Sequence, residues 1–530
     1  MIVPSTKTLD THEGQGDSLR LEDAKMQRAG NTLPVQTLQR RLEGLELCCF
    51  SDRPCRSLLA GTLVLLGGGA TPASAQPVTR TPTTPAAGPR QETYPEVRAA
   101  LEELSKTGNI PNAIKKYEEA SRKYPELSSA HVWMYGVLAR VNQPNLARLQ
   151  LDEAVKTNPS DPEPYVILGD IALQDRRLSE AGIDFEKAKQ LLATYNTTVI
   201  RKAAMEHDAL SGMAGVAEAH ENWKEAEQIL RELLKLAPED LVAHQRLARS
   251  LFLQGKAGDA YEVLRRAKEI DHANSRKNNT REIVLTPEAI MAKYYDELEG
   301  PTSKKPMIWF DAALKNAPKD LATRQVAATW ALEKGNLPFA KEQADAILKI
   351  EAADRKYSGS NVGHMLRGLV YLWEKRWEDA EKDFNSILFQ APKDFGARNN
   401  LALALVEQQD PAKKRRAREL VEANQSDYPN NPNGLSTLAW VYFRLNEFDL
   451  AGLTIQKCVG VLGEKADSDT RTYLAYILDH RDEKWQAKNI LEGVLLKSDR
   501  PFAMKKEAQE LYDKVKTAAK PEVAPAAKTP

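Results

Sequence analysis

The 530-residue sequence predicts an all-α fold, a solenoid of about eleven similar helix pairs ended by a C-terminal capping helix. Two observations predict this fold. Alanines recur at a spacing of 34 residues, and each is followed by apolar residues at helical spacing. No run of alternating Val, Ile and Thr is long enough for a useful strand, and the only hint of one is the short stretch 282–285.

The second half of each repeat carries the clearest pattern. A small residue is followed four positions later by a large apolar residue and three positions after that by another small or apolar residue. The first three repeats show this spacing in Ala113, Tyr117 and Ala120, in Ala147, Leu151 and Ala154, and in Ala181, Phe185 and Ala188. Residues at this spacing share one face of a helix. A proline often closes the repeat, as Pro125 and Pro159 do.

The first half of each repeat has its own apolar face. In the third repeat it contains Tyr165, Leu168 and Gly169, which are spaced to lie on one side of a helix. A short turn separates the two halves and often contains Gly or Asn, as at Gly108, Gly255, Gly335 and Asn446. Each repeat is therefore predicted to be two antiparallel helices joined by a short turn.

This pattern resembles the tetratricopeptide repeat, in its 34-residue period, its closing proline and the small residue where the two helices cross. Gly136, Gly169 and Gly368 lie at or beside the small position of the first helix, and Trp223, Trp377 and Phe448 lie at the aromatic position just before the alanine of the second. The resemblance implies a right-handed superhelix in which the first helices line a concave face. Stacked repeats of this kind bury a continuous core that one pair cannot form alone.

The repeats define the domain organisation. They are expected to begin near residues 94, 128, 162, 207, 241, 287, 321, 361, 395, 432 and 468. Repeats one to five occupy 94–272, a polar insertion occupies 273–286, repeats six to eleven occupy 287–501, the capping helix occupies 502–516, and a disordered Pro- and Ala-rich tail occupies 517–530. About 11 extra residues follow the third repeat near 196–206. The sixth repeat is the weakest, because Pro306 stands in its alanine position.

The N-terminal segment is typical of an export signal. Arg53 and Arg56 precede an apolar run of about 13 residues, and Ala73, Ser74 and Ala75 follow it. The run is too short to span a bilayer. We expect residues 1–75 to be removed and a disordered Pro/Thr/Ala-rich linker to occupy 76–93. The mature protein is then exported, periplasmic or envelope-associated, and does not span the membrane.

The part of the chain before the apolar run is long for a signal, at about 55 residues. A start codon assigned too far upstream would explain it, and Met26 is a candidate for the true start. A long cytoplasmic arm is the alternative.

Composition excludes several classes of protein. The chain has 74 basic and 74 acidic residues, so it has no overall field to attract nucleic acid. Its mean hydropathy of −0.51 excludes a polytopic membrane protein. Four cysteines are too few for a disulfide scaffold, and only Cys458 follows the expected cleavage site. Its position on an apolar helical face favours a small buried residue.

The sequence contains no motif of phosphate-binding, zinc-protease or serine-hydrolase type. About 30 residues follow the last repeat, too few for a catalytic domain. We therefore expect no enzyme activity, cofactor, metal or small-molecule substrate. His207 and His220 were weighed as a metal pair, but surface or packing roles are favoured. The basic run 413–416 is interpreted as a solvated turn of the ninth repeat rather than a nucleic-acid site.

The resemblance also assigns the concave positions, which are the second, fifth, ninth and twelfth residues of each repeat. In repeats eight to eleven these are Val362, Met365, Leu369 and Leu372; Gly396, Asn399, Leu403 and Val406; Asn433, Ser436, Trp440 and Phe443; and Asp469, Thr472, Tyr476 and Asp479. The basic clamp that some family members use for a carboxyl-terminal peptide is not recognisable, because the lysines that would accompany Asn399 are missing.

From these positions we predict a groove that binds a protein or peptide in repeats eight to ten. Its apolar floor is expected to contain Met365, Leu369, Leu403, Trp440 and Phe443, with Asn399 fixing a peptide backbone and Tyr476 in the next repeat. The alternative is that these large residues pack against adjacent first helices.

Two functions fit the sequence. The first is a non-enzymatic, exported scaffold that binds a partner protein or peptide along the concave face. The second is an assembly or secretion factor that serves a cell-envelope polysaccharide or protein export machinery.

Overall fold

The computed structural model describes residues 94–278, 280, 282–354, 357, 359–497 and 501–519. The expected signal, the linker and most of the tail lie outside the described residues. Within them the chain forms 23 α-helices and no strand, which confirms the all-α prediction. The described chain divides into an N-terminal body, residues 94–270, and a C-terminal body, residues 271–519.

The helices of the N-terminal body come in pairs. They are α1 (Pro95–Thr107), α2 (Ile110–Lys123), α3 (Ala130–Arg140), α4 (Pro144–Thr157), α5 (Pro162–Gln174), α6 (Leu178–Leu192), α7 (Val199–Ala219), α8 (Trp223–Leu236), α9 (Leu241–Leu253) and α10 (Ala257–Asn278), whose last residues belong to the C-terminal body.

The C-terminal body continues the pairs and adds one last helix. Its helices are α11 (Pro287–Glu299), α12 (Lys305–Asn316), α13 (Leu321–Glu333), α14 (Leu337–Ala353), α15 (Val362–Trp373), α16 (Trp377–Gln390), α17 (Phe395–Val406), α18 (Pro411–Asp427), α19 (Pro432–Arg444), α20 (Phe448–Leu462), α21 (Ser468–His480), α22 (Lys484–Lys497) and α23 (Lys505–Val515). The weak sixth repeat is α11 and α12, and Pro306 is buried in the first turn of α12.

The turns inside the pairs follow from a local backbone requirement. Gly108, Gly255, Gly335 and Asn446 have φ between 63° and 80°, the left-handed conformation that ends a helix and reverses the chain. First helices commonly begin at an aspartate whose carboxylate accepts backbone N–H groups. Asp240 accepts from Val242 and Ala243 in this way. These two signals set the period of the fold.

The small residue of the first helix allows a close approach at two of the three expected positions. A Cβ added to Gly169 would lie 2.8 Å from the ring of Phe185, and one added to Gly368 would lie 2.7 Å from the ring of Phe384. Both phenylalanines are fully buried. Gly136 differs, because a Cβ there would meet only the Arg140 side chain at 3.8 Å. The glycine is therefore required for packing at 169 and 368 but not at 136.

Both insertions contain helix. The fourth first helix, α7, begins at Val199 rather than near 207, so the residues after the third repeat lengthen it. The insertion expected at 273–286 is only partly an open polar segment. Helix α10 continues to Asn278, and Val284 is buried where its backbone N–H donates to Asp271 Oδ2 at 2.8 Å. A buried carboxylate and one buried valine therefore fix the segment, a signal that its polar composition concealed.

The interpretation of residues 413–416 as a turn is wrong. They lie in the first part of α18, which begins at Pro411 behind the N-cap Asp410. Lys413 pairs with Glu381 at 2.7 Å, and Arg416 donates to Asn385 at 2.7 Å. The run is therefore part of a helix whose basic side chains bond to the neighbouring α16.

The C-terminal body has one extended core, built from facing alanines and larger apolar residues of its helices. Each first helix from α11 to α21 packs against its own partner helix or against the first helices of adjacent repeats. At the end, α23 packs Ala508, Leu511 and Val515 against Ala487 and Leu491 of α22. Over the described residues, no helix combines the length and the apolar composition needed to cross a bilayer.

Candidate functional site

A cavity of about 330 Å³ opens among the first helices of the C-terminal body. Its walls come from α15, α17, α19 and α21, and from residues 503–507 at the start of the capping segment. Equivalent faces of four successive repeats therefore meet at one site. Its volume is at the lower end of the range typical of ligand pockets.

The structure brings together most of the predicted site residues. Leu369, Asn399, Leu403, Trp440 and Tyr476 all line the cavity. Met365 does not. It is buried in the core beside the cavity, with its sulfur 3.6 Å from Asn400 Nδ2.

Phe443 lies on the far side of Trp440 and faces a neighbouring surface pocket with His480. The residues predicted for the groove thus divide between the cavity, the core and this second pocket.

The expected exposed apolar floor is instead a packed wall. Met365, Leu369 and Trp440 are 8%, 5% and 5% exposed. The large residues fill the space between adjacent first helices, so the alternative of helix packing describes these three residues. The cavity lies against this wall, and its chemistry comes mainly from the polar residues around it.

Trp440 shows how tightly the wall is built. Its indole stacks on Tyr473 at 4.5 Å and on Phe443 at 5.4 Å between ring centroids. The ring of Tyr476 meets it edge-on at 5.6 Å. Its Nε1 donates to Glu407 Oε1 at 2.9 Å, so the polar atom of the buried ring is satisfied.

Four polar atoms around the cavity are buried without a hydrogen-bond partner. They are Asn399 Oδ1, Trp373 Nε1, Arg444 Nε and Glu507 Oε2. Asn399 is only 7% exposed. A buried polar group left without a partner destabilises the folded state, and native proteins leave few of them. Two of the four atoms donate and two accept, so the site offers both kinds of bond to a ligand.

The segment before α23 closes one side of the cavity, a role that the sequence did not reveal. Met504 N–H donates to Asp469 Oδ1 at 2.8 Å, and the Glu507 carboxylate bonds to Lys375. Pro501 lies against Gly335, with its Cγ 3.0 Å from where a Cβ would stand. The apolar residues of 501–504 were the available signal, but only the fold shows that they reach back to the seventh and eighth repeats.

The charges around the cavity are partly paired. Arg444 pairs with Glu407 at 2.8 Å, and Asp467 is the N-cap of α21, where it accepts from Thr470. Burial raises the pKa of Asp469 to about 7, and the nearby Asp467 adds to this effect. The backbone N–H of Met504 only partly opposes it.

The remaining candidates from the sequence have structural contacts. His207 Nε2 lies 2.8 Å from Asp240 and its Nδ1 lies 3.1 Å from Asp208, and these bonds raise its pKa to about 9. Cys458 is fully buried, and burial raises the pKa of its thiol to about 11. Among the described residues, no group of three or more His, Cys, Asp or Glu is arranged to hold a metal ion.

Comparison with known protein families decides the identity of the repeats. A tetratricopeptide-repeat family model matches residues 137–196, and a second model of the same description matches residues 217–276. This chain is a tetratricopeptide-repeat protein. The matched segments run from α3 to α6 and from α7 to α10, and the same alternation of helices continues through the C-terminal body.

Solved structures similar to this tetratricopeptide-repeat protein include three with low identity. A tetratricopeptide-repeat protein from Parabacteroides merdae is 15% identical, covers 59% of this chain and 99% of its own, and has a TM-score of 0.35. Yeast Tom70 is 14% identical, covers 79% and 95%, and has a TM-score of 0.33. MamA is 18% identical, covers 33% and 96%, and has a TM-score of 0.26. No curated protein sequence matches the chain.

Tetratricopeptide repeats make this protein, at the coarse level, a scaffold for protein interaction. Each repeat adds one helix face to a surface that the next repeat extends. The cavity is where this protein concentrates aromatic, amide and charged side chains on such a surface.

Proposed function

We propose that this tetratricopeptide-repeat protein is a non-enzymatic, exported scaffold that holds an extended segment of a partner protein in the cavity of its C-terminal body. The observation that carries the proposal is the set of four unpartnered polar atoms, Asn399 Oδ1, Trp373 Nε1, Arg444 Nε and Glu507 Oε2, around one cavity. A peptide backbone supplies both the N–H donors and the C=O acceptors that such a mixed set needs.

The wall of the cavity supports the same proposal. Leu403 and Tyr476 are half-buried and line the cavity beside the packed Trp440. Half-buried apolar residues give a side chain of the partner a surface to cover, and a rigid aromatic wall holds them in place without further ordering on binding. Asn399 keeps the role expected from the sequence, that of bonding the backbone of the bound segment.

A photocrosslinking experiment in the native host tests the partner-binding role. Tyr476 is replaced by p-benzoylphenylalanine in the full chain, and in the control Leu453, 64% exposed on α20, is replaced instead. We expect the variant at 476 to crosslink to a protein at one short segment, mapped by mass spectrometry. A synthetic peptide of that segment should abolish the crosslink.

Equal crosslinking from 453, or a crosslink at 476 that the peptide does not reduce, would contradict the proposal. The identity of the crosslinked partner also separates a general scaffold from a factor that serves a cell-envelope polymer or export machinery.

Export rests on the sequence of residues 53–75 and has its own test. N-terminal sequencing of the protein from its native host should give Gln76 as the first residue. A cytoplasmic protein that begins near Met1 or Met26 would contradict export and leave the cavity proposal intact.

A further inference from the structure

Asp469 is a carboxylate at the cavity that has no counter-charge. It is the second residue of α21, and its Oδ1 accepts a hydrogen bond from Met504 N at 2.8 Å. No Lys, Arg or His in the described part of the chain forms an ion pair with it. The two basic residues of the cavity, Lys375 and Arg444, are paired with Glu507 and Glu407. Asp469 therefore differs from the cavity carboxylates that these cations neutralise.

The surroundings of Asp469 disfavour its charge when the cavity holds no ligand. Burial raises its pKa to about 7, and Asp467 contributes in the same direction. The titratable and charged groups that line the cavity with it are Lys375, Glu407, Arg444, Asp467, Tyr473, Tyr476 and Glu507. A half-buried carboxylate without a cation is costly, and a cation placed beside it recovers that cost.

The rest of the cavity suits a cation that carries N–H groups. Trp440, Tyr473 and Tyr476 supply aromatic rings, which attract ammonium and guanidinium groups. Asn399 is nine-tenths buried, and its Oδ1 accepts no bond from any group of the protein. A cationic group can donate to this oxygen and to Asp469 together.

We propose that the cavity recognises a basic side chain, lysine or arginine, of the bound partner segment, with Asp469 as its counter-charge and Asn399 Oδ1 as a further acceptor. This inference rests on the partner-binding function proposed above and adds the chemistry of the segment. A segment that presents a carboxylate there is disfavoured, because it would face Asp469 and Asp467.

The test measures binding of capped pentapeptides to the full chain by isothermal titration calorimetry. The peptides have the sequence Gly-Ala-X-Ala-Gly, with lysine, arginine, norleucine or glutamate at X. We expect the lysine and arginine peptides to bind on the order of tenfold or more tightly than the norleucine peptide, with the glutamate peptide weakest. The preference for lysine over norleucine should increase as the pH rises from 5.5 to 8.5, because Asp469 then loses its proton.

Two variants show whether Asp469 causes the preference. Asp469→Asn keeps an oxygen for the Met504 N–H and should make the lysine and norleucine peptides bind equally. Asp449→Asn is the matched control, because Asp449 is also the second residue of its helix, α20, but is exposed. It should leave the lysine preference unchanged.

The outcomes separate this inference from the function on which it rests. Equal binding of lysine and norleucine peptides to the unmodified protein, or a lysine preference that survives Asp469→Asn, would overturn the inference and leave partner binding intact. Lysine amide that binds as tightly as the lysine peptide would show a site for small cations and overturn it as well. If no pentapeptide binds and the crosslinked segment does not bind either, the proposed function itself fails.

Discussion

The indole of Trp440 stacks on the phenol ring of Tyr473, with centroids 4.5 Å apart and ring planes within 19°. The two residues come from the first helices of successive repeats, so the contact joins α19 to α21. It makes Trp440 part of the packing between repeats and at the same time a wall of the cavity.

This packing predicts that Trp440→Ala destabilises the protein strongly. Removing a buried indole that also donates to Glu407 leaves a large void, and such changes cost about 3–5 kcal/mol. Chemical denaturation monitored by circular dichroism measures the change in the free energy of unfolding. Phe389→Ala, at a residue that is 90% exposed, is the control and should stay within about 0.5 kcal/mol. A tolerated Trp440→Ala would mean that the ring is not packed as described.

The small positions of the first helices predict two different responses to alanine. Gly368→Ala places a methyl group about 2.7 Å from the ring of the fully buried Phe384, and such overpacking costs roughly 1–3 kcal/mol. Gly136→Ala meets no close neighbour and should be neutral or stabilising by about 0.5–1 kcal/mol, because alanine favours a helix over glycine. Thermal unfolding of the two variants compares them directly. Similar melting temperatures for both would contradict the close approach at Gly368.

The ion pair between Arg201 and Glu163 predicts a large single-mutant effect in the N-terminal body. Glu163 also accepts from Ser128 Oγ at 2.7 Å, and burial raises its pKa. Arg201→Met leaves this carboxylate buried without a cation, which costs about 3–5 kcal/mol. Adding Glu163→Gln to Arg201→Met should restore part of the loss.

The control for this pair is Arg265→Met, because Arg265 forms exposed pairs within α10. Its loss should cost less than about 1 kcal/mol. A double variant in which the two losses simply add would show that Arg201 and Glu163 are not coupled.

Asp469 predicts a pH dependence with a definite sign. Its pKa is near 3.9 in an unfolded chain and about 7 in the folded protein, so the unfolded state binds fewer protons between these values. This residue therefore stabilises the fold least above pH 7, and its contribution decreases as the pH rises from about 4 to about 7. Asp469→Asn should be close to neutral at pH 4 and more stable than the parent protein by a few kcal/mol at pH 8. Equal pH profiles for the two proteins would contradict the raised pKa.

Much of the fold followed from the sequence because its signals are local. The turn residues Gly108 and Gly255 and the alanines that face a large residue four positions later act within one repeat. Ten of the eleven first helices begin within two residues of the expected positions. The exception, α7, begins earlier because the insertion before it is itself helical.

The site was predictable only in part, because its details depend on residues distant in sequence. The register of the repeat placed Asn399, Leu403 and Tyr476 at the cavity. The burial of Trp440 depends on Tyr473, which is 33 residues later and belongs to the next repeat. The closing of the cavity depends on Glu507, which bonds to Lys375 across 132 residues. Repeat spacing carries no signal for contacts of this kind.

The central claim, that the cavity of the C-terminal body binds a partner segment, is tested most directly by amide hydrogen exchange. Exchange of the full chain is followed by mass spectrometry with and without a saturating peptide of the crosslinked segment. We predict slower exchange in α15, α17, α19 and α21 and in residues 501–507, with no change in α16, α18 and α20 or in the N-terminal body. Slower exchange confined to the second helices, or to the N-terminal body, would contradict the claim.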